Sequence, residues 1–343
     1  MSSVSVILCI ACHTVFAEQT AADPIPIKVV VLAMFEKGED VADKPGEFQN
    51  WVEKLPLPES FPFPQGHRDL RYNDRGILGA VTGMGIAKAT ASTMALGLDP
   101  RFDLSKAYWL IAGIAGVDPE DASLGSAVWA EWVIDGDLSH QIDAREVSDD
   151  WTTGYIPLRQ AEPYALPLTG SEGAAYQLNS ELVDWAYQLT KGIRLQDNSR
   201  MKEQRSLYTN FTQAQRPPMV VKGDHLSAST YWHGALLNEW ANKWVRYWSG
   251  GEANFVTSGM EDSGTLQSLS FLAKAGKVDL NRVLVLRTAS NFTMQYPGIS
   301  APESLRQTVK GKGYSAYIPA LDAAYEVGSP VVNELINNWP EYK

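Results

Sequence analysis

Five short segments of this 343-residue chain carry side chains and backbone suited to holding a small polar ligand. They are Thr82 to Gly85, Ala112 to Gly116, Lys222 to Ser227, Ser258 to Glu261, and Arg287 to Asn291. Glycines such as Gly83 and Gly113 let backbone N–H groups approach a ligand closely. Glu261 offers a carboxylate to a ligand, or else it only caps a helix N-terminus. Asn291 offers amide donors and an acceptor, or serves as a turn residue. Asp224 follows Gly223 and reads first as a residue that fixes a turn. His225 and His233 stand beside a strand end, where they either touch substrate or act as structural histidines. Tyr231 and Trp232 are packing aromatics or a wall on which a planar base can stack. Other chemistries find no support. The pair His225-x7-His233 has no carboxylates at ligand spacing, so no metal is expected. There is no G-x-S-x-G elbow for a serine nucleophile.

These residues need elements to hold them. Ile27 to Leu32 is a β-branched run with the composition of a buried strand. Pro45, Pro56, Pro58, Pro62 and Pro64 then mark an irregular excursion with one helical piece around Glu47 to Lys54. Ile77 to Val81, Tyr108 to Ile111, Ala127 to Val133, Asn254 to Thr257 and Val283 to Leu286 read as further strands. Helices are expected at Ile86 to Leu96, Ser180 to Lys191, Trp232 to Trp248 and Val331 to Trp339. Strands alternating with helices predict a central sheet covered on both faces. Ligands of such sheets bind at the carboxyl ends of strands, where the five segments fall. The strand pattern resumes after a polar stretch at about 135–218, so one domain (27–343) with an insertion is expected.

The apolar content of 45% and the 11 tryptophans suit a chain with a packed core. Ser5 to Phe16 is mostly apolar and ends at Val15-Phe16-Ala17, the pattern of a signal peptide at 1–17, with 18–26 as a linker. A buried N-terminal strand is the competing reading. The expectation is export, to a secreted or periplasmic location. Both cysteines, Cys9 and Cys12, lie in this leader, so the mature chain has no thiol chemistry. The net charge of −11 comes entirely from beyond Ala17, and an acidic chain without a basic run is a poor partner for nucleic acid. No segment offers about 18 uninterrupted apolar residues, so no stable membrane insertion is expected.

The order of the motifs is more specific than any one of them. Thr82-Gly83-Met84-Gly85-Ile86-Ala87-Lys88, Ala112-Gly113-Ile114-Ala115-Gly116, Gly125-Ser126-Ala127-Val128, Gly259-Met260-Glu261 and Arg287-Thr288-Ala289-Ser290-Asn291 together resemble the nucleoside phosphorylase and nucleosidase superfamily. The span from about Ile25 to Lys343, with Asp224 and Thr230-Tyr231-Trp232-His233-Gly234, looks like the purine nucleoside permease family. The resemblance implies a three-layer α/β/α nucleoside phosphorylase-like fold with a central mixed β-sheet. It implies a purine nucleoside ligand, with Met260 under the ribose, Glu261 on the ribose hydroxyls and Asn291 at the purine N7 edge. Ser290, Gly83, Gly113 and Arg287 fall in the same segments. Glu36, just after the first strand, falls near the position of the water-activating carboxylate.

Two positions depart from the superfamily. Asn291 stands where nucleosidases carry Asp, and an amide cannot deliver the proton that a carboxylic acid can. Ile114 stands where phosphorylases place a phosphate-binding Ser. The expected function is therefore cleavage of a purine nucleoside, with water or inorganic phosphate as the nucleophile and no other cofactor. The competing expectation is a binding protein that supports nucleoside uptake. The resemblance also suggests a homo-oligomer.

Overall fold

The computed structural model describes residues 23–166, 172–310 and 314–343. The leader at 1–17 and most of the linker that follows lie outside the described residues. A 12-stranded mixed sheet organises the chain. Its strands are β1 (Val29–Ala33), β2 (Glu59–Phe61), β3 (Leu70–Asn73), β4 (Ile77–Val81), β5 (Tyr108–Val117) and β6 (Ala127–Ala130). They continue with β7 (Trp132–Asp135), β8 (Ala175–Gln177), β9 (Val220–Lys222), β10 (Asp224–Ser227), β11 (Phe255–Gly259) and β12 (Val283–Phe292). Neighbours run β8-β7-β10-β11-β5-β1-β4-β3-β2, and β12 joins β5 to β6, which in turn pairs with β9. Every residue of β1 and β4 is buried, as expected for parallel strands covered on both faces.

Two strands are longer than their apolar cores suggest. The small residues Ala112 to Gly116 read as a loop in the sequence, yet they continue β5. Arg287 to Asn291 likewise continue β12. The two extensions pair with each other in parallel, from Val283 beside Trp109 to Phe292 beside Val117. Each therefore satisfies the backbone of the other, and no apolar side chain is needed to hold the pairing. The register shifts between Ala289 and Asn291, a bulge at Ser290. Bulges of this kind re-aim side chains near sites. The expected strand Ala127 to Val133 divides at Glu131 instead. Its first half pairs with β12 and β9, and its second half crosses to β10 and β8.

Helices cover the sheet. They are α1 (Gln49–Lys54), α2 (Ile86–Gly97), α3 (Ser180–Thr190), α4 (Ser199–Ser206), α5 (Ala235–Trp248), α6 (Asp262–Lys274), α7 (Ala301–Lys310), α8 (Tyr317–Asn337) and α9 (Trp339–Tyr342). Helix α8 lies along β5 and β12 with α1 and α3 beside it, α2 packs on α6, and α5 packs on β10 and β11. Trp240, Ala241, Trp244, Val245 and Trp248 place the buried face of α5 at helical spacing. This helix starts at Ala235 rather than Trp232, because Gly234 sits at φ +134° and breaks the helical backbone ahead of it.

Candidate active site

The carboxyl ends of β1, β4, β5 and β11 and the bulge of β12 converge on one cluster of charged groups. Its first member is Glu47. The loop after β1 folds back on itself, so that the Glu47 amide donates to Phe35 O at 3.0 Å. The Glu47 carboxyl is buried and accepts from Met34 N at 2.8 Å and Ile114 N at 2.7 Å. Burial pushes it up to about 8, with Arg287 opposing the rise and Glu261 adding to it. Glu36 stands outside the cluster. Its carboxylate accepts from the amides of Lys37 (2.7 Å), Phe48 (2.8 Å) and Gln49 (2.6 Å), and from Gly46 N. Glu36 thus closes the loop and caps the start of α1, and that closure presents Glu47.

Arg287 is the cation of the cluster and is 1% exposed. Nε reaches Asp262 Oδ1 at 3.1 Å, Nη1 reaches Ile114 O at 3.1 Å, and Nη2 bonds Asp262 Oδ2 and, at 3.3 Å, Glu261 Oε2. Burial opposes ionisation of Asp262, yet Arg287 and His225 outweigh it and hold the carboxyl far below its ordinary range. His225 is fully buried, with Nε2 3.1 Å from Asp262 Oδ2 and Nδ1 2.9 Å from Thr257 Oγ1. Burial keeps it below its ordinary pKa against the pull of Asp262. His225 therefore supports Asp262 from behind, inside the core. Glu261 accepts from Gly85 N at 3.2 Å and Met260 N at 3.1 Å, and burial raises its pKa against the pull of Arg287. Gly85 presents that amide from φ +92°, a conformation that favours glycine. Gly113 is required by proximity, because a Cβ there would lie 2.7 Å from both Arg287 Nη1 and Glu47 Oε1.

Asn291 sits on the far side of the bulge. Its Nδ2 donates to Tyr231 OH and Phe292 O, both at 3.2 Å, and its Oδ1 lies 2.8 Å from Ser290 Oγ. A cavity of about 30 Å³ lies between Asn291, Met260, Tyr231, Trp232, Ser258 and Thr293. A second cavity of about 300 Å³ opens on the other side of Asn291, against His233, Tyr208 and Phe292. His233 Nε2 is 3.0 Å from Ser304 Oγ, while its buried Nδ1 has no partner among the described residues. Trp232 packs edge-on against Trp240 and tilted against Phe255, in the core beneath Tyr231.

The structure thus brings together Glu261, Met260, Gly113, Ile114, Arg287, Ser290, Asn291, Tyr231 and Trp232. Gly83, at φ +84°, lies at the rim, where an added Cβ would meet His67 and Lys88. Asp224 lies at the opposite end of β10. Its oxygens accept from Trp132 N at 2.8 Å and Asn254 N at 2.7 Å, a clamp between strands. Glu47 and Asp262 join the cluster without having been singled out in the sequence. The signals were a Glu placed between Gly46 and the apolar Phe48, and a second acid directly after Met260-Glu261.

Comparison with known proteins gives this arrangement relatives. The family model for purine nucleoside permease (NUP) matches residues 26–343. A purine nucleoside permease of Candida albicans is 31% identical over 317 residues, covering 91% of this chain and 75% of that protein. A probable purine nucleoside permease of Schizosaccharomyces pombe is 30% identical over 288 residues, covering 81% and 80%. Among solved structures, futalosine hydrolase of Helicobacter pylori aligns with a TM-score of 0.52 at 15% identity, covering 90% of this chain and 98% of that one. A Helicobacter pylori 5′-methylthioadenosine/S-adenosylhomocysteine nucleosidase carrying 5′-methylthioadenosine aligns with a TM-score of 0.51 at 17% identity, covering 90% and 99%. The fold is therefore that of the nucleosidases and nucleoside phosphorylases. No helix among the described residues is long and apolar enough to cross a membrane.

Proposed function

The chain belongs to the purine nucleoside permease family, and from that premise we propose that it binds a purine nucleoside at this cluster and hydrolyses its glycosidic bond. Glu261 takes the ribose hydroxyls, Met260 packs under the sugar, and Asn291 meets the N7 edge of the base. Glu47 is the general base. It accepts a proton from water as the water oxygen bonds to the anomeric carbon. The electrons of the breaking C–N bond move into the purine, which leaves as an anion held by a hydrogen bond from the Asn291 amide and takes a proton from solvent to give the free base. Positive charge developing on the sugar is met by Glu261.

The observation that carries this reading is Glu47, a buried carboxyl held by the amides of Met34 and Ile114 and pushed by burial up to about 8. A general base works best when its pKa lies near the working pH. Water is favoured over phosphate by the partners already in place. Arg287 is committed to Asp262, Glu261 and Ile114 O, the Ile114 amide to Glu47, the Gly85 amide to Glu261, and the Ile86 amide to Ser229. A phosphate dianion at this point would face the carboxyls of Glu47, Glu261 and Asp262, two of which already engage Arg287.

A second reading is binding for uptake without turnover, supported by the permease names of the relatives. Incubation with inosine in phosphate-free buffer, followed by product analysis, separates the readings. Free ribose and hypoxanthine are expected. Strictly phosphate-dependent ribose 1-phosphate would overturn hydrolysis, and tight binding with no product would leave the uptake reading.

A further inference from the structure

The cavity beside Asn291 does not end there. Arg200, Thr308, Tyr314 and Ser315 line both it and a larger cavity of about 710 Å³, so the two adjoin along one groove. The larger cavity is walled by Lys37, Lys44 and Arg200, and no Asp or Glu is among its lining residues. That is unexpected in a chain with 40 acidic and 29 basic side chains. Lys37 Nζ lies 3.9 Å from the centre of the Tyr317 ring. Burial and the neighbouring charge of Lys44 both lower its pKa against the pull of Glu36, so the two ammonium groups are held close enough to repel each other. Lys44 has no carboxylate partner among the described residues.

The loop that carries both lysines arranges this deliberately. Three of its acids have partners outside the chamber: Glu36 on backbone amides, Asp40 on Arg68 and Arg71, and Asp43 on the Glu39 amide. The same loop delivers Glu47. Tyr317 ties the two regions, since its hydroxyl donates to Pro45 O at 2.9 Å and its pKa is raised by burial and by Glu47 and Glu36. A nucleoside held at Asn291 therefore has a cationic chamber next to its site, beside the loop that holds the general base. Two like charges facing one chamber lined with hydroxyls suit a phosphoryl group, which brings about two negative charges and several acceptor oxygens.

We propose that the groove accepts a phosphorylated purine nucleoside, with its phosphoryl group between Lys37 and Lys44. The proposal rests on the assignment of the nucleoside to the Asn291 site and adds a substrate class to it. Calorimetric binding of inosine and of inosine 5′-monophosphate tests it, with the full chain and with Lys37→Ala/Lys44→Ala, at low ionic strength. The monophosphate is expected to bind about tenfold tighter or more, the effect of one charge-assisted contact. The double variant should lose that preference while binding inosine unchanged and keeping its circular dichroism. Equal or weaker binding of the monophosphate by the unmodified chain overturns the proposal, as does a preference that survives in the double variant. Inorganic phosphate distinguishes the source of the anion. If millimolar phosphate strengthens inosine binding in a lysine-dependent way while the monophosphate gains nothing over inosine, the chamber belongs to free phosphate and the proposal fails. Lysine-dependent binding of the monophosphate without any release of base supports the chamber and places the failure in the hydrolytic reading alone. If neither ligand binds, both fail.

Discussion

Glu47, Glu261 and Arg287 are close enough that each sets the charge state of the others, and substitutions at these positions test different parts of one device. Glu47→Gln keeps the shape and removes the base, so turnover of inosine should fall by about a hundredfold or more while affinity changes little. A loss confined to affinity would sink the assignment of Glu47 as base. Glu261→Ala removes charge-assisted bonds to the ribose, worth about 1.5–3 kcal/mol, or roughly ten- to a hundredfold in affinity. Calorimetry showing unchanged inosine affinity, with unchanged circular dichroism, would count against that role. Gly113→Ala reads the packing rather than the chemistry. The added methyl group meets Arg287, Glu47 and Met34 Sδ, all within 2.8 Å. Overpacking of this kind costs about 1–3 kcal/mol, so both thermal stability and turnover should drop together.

At the scale of elements, the site depends on strands ending at the right places, and here the two ends of β10 divide the labour. Asp224 clamps the β7 and β11 sides at the start of the strand, far from the cluster. Asp224→Ala should therefore lower stability by about 2 kcal/mol, from two amides left without acceptors, and leave inosine affinity unchanged. Affinity lost in proportion to stability would show that the clamp and the site are coupled. The alternation of strands and helices was legible in the sequence because Val29–Ala33 is an apolar, β-branched run, and Ile77–Val81 and Phe255–Gly259 join such runs to glycine at or just past their ends. The extensions of β5 and β12 were not, since Ala112 to Gly116 and Arg287 to Asn291 pair through backbone that any small or polar residue provides. Glu261, Met260 and Asn291 could be placed by motif order. Glu47 could not, because it reaches the end of β1 through a loop closure made by Glu36 and Phe35 O. Counting residues from a strand end gives Glu36 and cannot see the chain return.

For the whole molecule, the raised pKa of Glu47 links activity to stability with opposite signs. In the folded chain Glu47 holds its proton from its ordinary 4.5 up to about 8, whereas the unfolded chain has already lost it. Raising pH through that interval therefore favours unfolding. Other groups complicate the lower part of the range. Burial pushes Asp121 up to about 6, with the same sign as Glu47. Burial lowers His225, His233 and His67 below their ordinary 6.5, which has the opposite sign because the unfolded chain binds those protons more readily. Asp262, held low, contributes stability that is lost only as pH falls below 3.8. Above 6.5 the unfolded chain sheds the last of its histidine protons, which offsets part of the fall, while Glu261, whose carboxyl burial also raises, acts with the sign of Glu47. The melting temperature should fall between about pH 6.5 and 8.5, with Glu47 contributing the equivalent of about 2 kcal/mol. Over the same interval hydrolysis should rise, because only the ionised carboxylate can take a proton from water. Glu47→Gln should flatten both curves, leaving a more pH-tolerant fold with little activity. Scanning calorimetry and initial rates measured in the same buffers decide the matter. A melting temperature that stays level or climbs from pH 6.5 to 8.5, or a Glu47→Gln variant with the slope of the unmodified chain, would show that the proton belongs to another group.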